Sequence, residues 1–174
     1  MRAHLLAVSL AMLPLTADAQ HAGHQHTPGA PSEGHQKAQA CLDEFDAVVR
    51  EGRGFGMAFA ADQHGYPGPM HVLELKEHLA LTPEQEARVR ALMHAMFAES
   101  RPKSARLLDA EARLRALFAG GTADETAVRA ATAEVERART EVRVVHLLAH
   151  LKTRDLLTDA QRRAYHDARW PGLR

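Results

Sequence analysis

Apolar residues along most of this chain recur at intervals of three and four, the spacing that gathers side chains on one side of a helix. Between His71 and Ala80, Val72, Leu75 and Leu79 share a side. From Pro83 onward Val89, Leu92, Met93, Met96 and Phe97 keep the same rhythm, and Leu107, Leu108, Leu114, Leu117 and Phe118 carry it to Gly120-Gly121, a strong stop. Pro102 falls inside that run and is expected to kink or interrupt the helix, because its ring clashes with the preceding turn. The next helix is expected from about Ala123 to Asp155, where Val128, Val135, Val142 and Ala149 repeat every seven residues, a stripe suited to pairing with another helix. A last helix begins at Thr158 and is ended by Pro171. Upstream, Ala38, Cys41, Leu42, Phe45, Val48 and Val49 fall on one face of a short helix over 38–50, which makes Cys41 a small packing residue. No segment shows a competing strand pattern. The fold class expected is all-α, a hairpin-like bundle of four to five helices.

Two of these helices open on one spelling. Leu81-Thr82-Pro83-Glu84-Gln85 and Leu157-Thr158-Asp159-Ala160-Gln161 each offer a Thr hydroxyl to a free N–H of the first turn, and a Gln that reaches back to the cap's own N–H. Pro83 takes the first helical position, where its missing N–H costs nothing, and the Leu before each Thr can staple onto the first turn. This doubled Leu-Thr-x-x-Gln pattern resembles the Spy/CpxP family of small periplasmic proteins, over roughly Pro69 to Trp170. The resemblance leans to the ZraP/CnrX-like heavy-metal-binding branch. It implies a helical hairpin that pairs as an antiparallel homodimer, in a superfamily of chaperones and metal binders.

Met1 to Ala19 reads as a secretory signal: Arg2 at the start, an apolar core from Leu5 to Leu15, and the small-x-small Ala17-Asp18-Ala19. The core is too short to span a membrane and no later segment is apolar enough, so an exported periplasmic chain starting near Gln20 is expected. Residues 20–37, rich in His, Gly, Pro, Gln and Ser, are expected to be a disordered tail. Residues 38–69 combine the short helix with a Gly/Pro-rich connector, in which Phe55-Gly-Met-Ala-Phe59 is apolar enough to dock on the helices. Residues 70–171 form the helical domain.

Charge is balanced at 22 basic and 22 acidic residues, which gives no nucleic-acid surface. Cys41 is the one cysteine, so no disulfide can form within the chain. There is no phosphate loop, nucleophile elbow or His-Glu-x-x-His, and an enzyme is not expected.

The chemistry lies in the twelve histidines. His21, His24, His26 and His35 cluster in the tail, where they either chelate divalent ions weakly or stay solvated. His146 and His150 lie one turn apart in an apolar stretch, close enough to share an ion. Hydrogen bonds to Glu or backbone are the alternative, since a buried imidazole needs partners. The resemblance to CnrX implies more. A metal-binding His of that protein corresponds to His146, and a sulfur ligand one turn later corresponds to His150. Its first-helix His pair is met only by His71 and His78, with Glu74 between them, and its Glu falls near Met93 or His94. A nitrogen-rich site of His71, His94, His146 and His150, with Glu74 and His78 as substitutes, suits Zn, Cu(II) or Ni. The function expected is a metal sensor or buffer, with an inner-membrane regulator as a partner. The alternative is an ATP-independent chaperone that holds unfolded clients, its surface made basic by Arg88, Arg90, Arg101, Lys103, Arg106, Arg113 and Arg115.

Overall fold

The computed structural model describes residues 32–172. Six helices follow in order: α1 (Glu33–Arg50), α2 (Phe59–Gln63), α3 (Pro69–Glu74), α4 (Pro83–Ala119), α5 (Glu125–Leu156) and α6 (Asp159–Arg169), with no strand among the described residues. The long pair α4 and α5 forms the body, joined by a tight turn in which Gly121 takes a left-handed φ of 65°. Asp124 caps α5 by accepting from the Ala127 N–H at 2.7 Å. α1 packs on α4, α3 on both long helices, and α2 on α5.

The core forms three clusters along the hairpin. Val49, Leu107, Ala110, Val135 and Val142 join α1, α4 and α5 near the Gly turn. Met96, Val145 and Ala149 fill the middle. Val72, Leu79, Val89, Leu157 and Tyr165 close the other end, where α3 and α6 meet the long helices. The seven-residue stripe of α5 supplies Val135, Val142 and Ala149 to this core, as its period requires.

The doubled capping motif has a tertiary role. Each Gln completes its own capping box. Each amide also reaches across: Gln85 Nε2 donates to the Leu156 carbonyl at 3.0 Å, and Gln161 Nε2 donates to the Leu79 carbonyl at 3.2 Å. The two amides also pair with each other at 2.9 and 3.0 Å. The two helix starts are thereby locked together, and carbonyls left free at the ends of neighbouring elements are satisfied.

Several expectations need correction. The described residues form six helices rather than four or five. α1 begins at Glu33, not at 38, because Ser32 caps it by accepting from the His35 N–H at 3.3 Å. His35 is therefore helical rather than part of a disordered tail. The signal segment and His21, His24 and His26 lie outside the described residues. The first half of α1 reaches past the body, so Cys41 is exposed and Leu42 stays half-exposed instead of packing. The short helix at 71–80 is instead α3 followed by turns, ending at Ala80 with a φ of 46°. α4 runs unbroken through Pro102. Its packing along α5, with Ser100, Ser104 and Leu107 fully enclosed, outweighs the single hydrogen bond that proline removes.

Among the described residues no helix is long and apolar enough to cross a membrane. The basic face is largely neutralised: Arg90 pairs with Glu86, Arg106 with Glu141, Arg113 with Glu134 and Arg115 with Asp46.

Candidate metal centre

The connector from Glu51 to Gly68 folds back over α5 and covers its two imidazoles. Two glycines make this possible. A Cβ on Gly54 would lie 2.9 Å from the His146 ring, and one on Gly68 would lie 2.8 Å from His150 Nε2. Neither position has a left-handed φ, so it is the close approach of backbone to ring that calls for glycine. Between connector, α3, α5 and the end of α6 lies a cavity of about 460 Å³, whose walls include His71, His146, His150, Asp62, Arg169 and three methionines, Met57, Met70 and Met96.

His146 is buried and fully engaged. Its Nε2 is 3.2 Å from Ser100 Oγ, and the Gly52 backbone acts on the ring. Burial pushes its pKa down to about 4, the neighbouring His150 adds to this, and the Gly52 carbonyl opposes it. The ring is therefore neutral at pH 7, and its Nε2 shares a hydrogen bond with Ser100 Oγ.

His150 is set differently. Its Nδ1–H donates to the Tyr66 carbonyl at 2.6 Å, which fixes the tautomer and leaves the Nε2 lone pair facing the space that Gly68 keeps open. Burial lowers its pKa as well, with Tyr66 and Asp62 opposing. An imidazole whose Nδ1–H is anchored on a carbonyl is oriented as metal-ligating histidines are.

His71 has the same polarity. Its Nε2 accepts from Arg169 Nη2 at 3.0 Å, so the proton sits on Nδ1 and is donated to Glu74 at 2.9 Å. Arg169 Nε also donates to Asp62 Oδ2 at 2.9 Å, and Tyr165 O–H donates to Asp62 Oδ1 at 2.5 Å. Asp62 is 4% exposed, so its charge is held almost wholly by these two donors. Burial opposes the Arg169 charge, and the Asp62 hydrogen bond and neighbouring charges outweigh it, raising its pKa.

The residues expected to bind metal thus divide. His71, His146 and His150 reach one cavity, with Glu74 orienting His71. His78 and His94 are exposed and line none of it. His94 points away because the inward positions of that turn are taken by Met96 and Phe97. His146 and His150 are committed to different partners rather than to each other. Among the described residues no three of His, Cys, Asp and Glu stand close enough to hold one ion. Two imidazole lone pairs and a buried carboxylate on one cavity still fit a borderline divalent ion in donor chemistry. Asp62 and Arg169 were not expected, because nothing local to a Gly-rich connector or a helix end marks them.

Residues 54–164 match the sequence model of the heavy-metal resistance family. The chain belongs to that family, a non-catalytic metal-resistance domain. No curated protein and no solved structure matches it significantly. The matched segment contains the connector from Gly54 onward, both imidazoles of α5 and both Leu-Thr-x-x-Gln boxes, and ends just before Tyr165 and Arg169.

Proposed function

We propose that this protein binds a divalent heavy-metal ion, Zn(II), Cu(II) or Ni(II), in the cavity beneath the connector, as a periplasmic sensor or buffer in metal resistance. The observation that carries this is His150. It is buried, held by its Nδ1–H on Tyr66, and keeps its free lone pair on a cavity that His71 and Asp62 also line. His71, His150 and Asp62 would hold the ion, and His146, engaged with Ser100, would wall the cavity beside them. Glu74 and the Tyr66 carbonyl would orient the rings. Neutral imidazoles are required, so affinity falls with acid.

Titration calorimetry tests the site. The tail imidazoles are removed from every sample by His21→Ala, His24→Ala, His26→Ala and His35→Ala. About one Zn(II) per chain should bind, and His146→Ala/His150→Ala should abolish binding. Unchanged affinity in that variant would reject the site.

The CnrX-like branch and export to the periplasm belong to the same proposal, as does an antiparallel homodimer. For the dimer, Val144, Leu148 and Leu151 stand at helical spacing on α5 and remain more than 40% exposed, an apolar stripe that a second copy would cover. Leu148→Glu should convert the dimer to monomer in light scattering; a wild-type monomer would reject the pairing. The same stripe is what favours a chaperone as the second reading. The pairing of the arginines with carboxylates counts against a basic client surface. Failure to suppress aggregation of a model client at equal stoichiometry would remove that reading.

A further inference from the structure

Arg169 is the cation that meets the almost fully buried Asp62 carboxylate. Arg106, Arg113 and Arg129 pair with carboxylates on exposed side chains. Arg169 instead serves two acceptors from two elements. Its Nε meets the Asp62 carboxylate at the end of α2, and its Nη2 meets the imidazole of His71 in α3. Nε and Nη2 are the donors on one edge of a guanidinium. The carboxylate oxygen and the imidazole lone pair therefore lie side by side, aimed at one positive charge. His150 Nε2 opens on the same cavity, and it feels both Asp62 and Arg169 electrostatically. A buried carboxylate and two imidazoles, each with its Nδ1–H already donated to an oxygen, are a divalent ion's donor set gathered around one half-buried cation.

We propose that Arg169 is a built-in competitor for the metal: a divalent transition-metal ion binds by displacing its guanidinium, taking Asp62 Oδ2, His71 Nε2 and His150 Nε2 in its place. The exchange breaks two hydrogen bonds of Arg169 and forms three bonds to the ion, with no proton gained or lost by the rings. It also explains why no three donors stand at metal-holding distance: the guanidinium holds them around a larger group. The competition sets a concentration threshold, because the ion must be abundant enough to beat a cation present at very high effective concentration. It also supplies an output. Arg169 is the last residue of α6, and Trp170 follows it. Freeing the guanidinium loosens the end of α6, so that metal arrival is reported at a helix terminus beyond the segment shared with the family. This inference deepens the proposed metal-binding function and rests on it.

The sole tryptophan is the reporter. The Arg169 guanidinium carbon lies 5.9 Å from the Trp170 ring centre, and Phe59 meets that ring edge-on at 4.9 Å. Zn(II), which is closed-shell and has no redox chemistry, is the probe. Purified protein lacking the tail imidazoles is titrated by calorimetry and by Trp170 emission. In the wild type the emission should shift in step with binding. Arg169→Met should bind Zn(II) about tenfold tighter, a change of about 1.4 kcal/mol, and its emission should no longer move. Arg163→Met removes the same charge from the exposed face of α6 and should leave affinity within about twofold, which separates displacement from a general loss of positive charge. Asp62→Asn should weaken binding. If Arg169→Met fails to fold by circular dichroism, Arg169→Lys serves, because an ammonium cannot offer that two-donor edge; it too should bind more tightly than the wild type.

Wild-type binding that is lost in His146→Ala/His150→Ala but untouched by Arg169→Met overturns the displacement alone. Binding by Arg169→Met and not by the wild type supports the displaced site and refutes the wild-type function. Absence of binding in both overturns both. Emission that stays still while wild-type Zn(II) binds also overturns the displacement.

Discussion

Two polar arrangements lie along the same hairpin, one half-buried and one buried, and they are finished to different degrees. In the Gln85–Gln161 lock every amide hydrogen and oxygen in play has a partner, and those partners are each other, the helix caps and two carbonyls. In the imidazole cradle, one ring is finished and one is not: His146 is closed off by Ser100 and Gly52, while His150 keeps a lone pair on a cavity. A fully satisfied network contributes rigidity and a unique pairing. One left with an open acceptor is unfinished, and its stability depends on the state of the rings. The lock therefore serves the fold, and the cradle, as the proposed metal site, would serve function at some cost in stability.

Acid separates the two most strongly. His146 has a pKa of about 4 when folded, lowered by burial, against about 6.5 for a free imidazole. The unfolded chain thus takes up a proton first as pH falls. Stability is full above about pH 6.5 and is lost progressively down to about pH 4. Between pH 7 and pH 5 the loss from this ring should be about 2 kcal/mol. His150, lowered in the same direction, adds to it. Urea unfolding at pH 7, 6 and 5 measures this, and His146→Leu should flatten the slope. No side chain of the lock titrates in that range. A stability that holds level to pH 5 would mean that the cradle is as finished as the lock.

The two glycines sharpen the contrast inside the cradle. Gly54→Ala and Gly68→Ala introduce similar clashes, at 2.9 Å and 2.8 Å, against the two rings. Each should destabilise by about 1–3 kcal/mol. Only Gly68→Ala also covers the lone pair of His150, so it alone should weaken Zn(II) binding, by about tenfold or more. Gly54→Ala should leave affinity within about threefold. Equal losses in both would show that His146 is as much a ligand as His150.

The lock was legible in the sequence, and the cradle only in part. A capping box is written within four residues, so Thr82-to-Gln85 and Thr158-to-Gln161 announce themselves. The doubling hints at a relationship without saying that the two amides meet. His146 and His150 were legible as a pair because helix geometry fixes their spacing. Their partners were not, since Tyr66 lies 84 residues away and Ser100 46. Asp62 and Arg169 stand 107 residues apart, one in a connector and one at a helix end, and no local signal links them. His94 and His78 show the reverse case. A histidine near a helical metal motif attracts attention, but the burial pattern around Met96 and Leu79 turns both outward. Ser32 was missed because a cap at the edge of a low-complexity run looks like part of that run.

The smallest effect tests whether the lock is one unit or two. If each box acted only on its own helix, Gln85→Ala and Gln161→Ala would each cost about 0.5–2 kcal/mol and their effects would add. The cross-amide pair gives a reason for them not to. Once Gln85 is gone, Gln161 loses a partner for its Nε2 while keeping the Leu79 carbonyl, so removing it next removes less. A double-mutant cycle in urea should therefore show a coupling of about 1 kcal/mol, with the double variant less destabilised than the sum. Zn(II) affinity should stay within about twofold in all three variants, because none of these bonds touches the cavity. Strict additivity would dissolve the lock into two ordinary caps. A change in metal affinity would instead tie the start of α6 to the site at its far end, eleven residues along a short helix, and join the two regions that this structure holds apart.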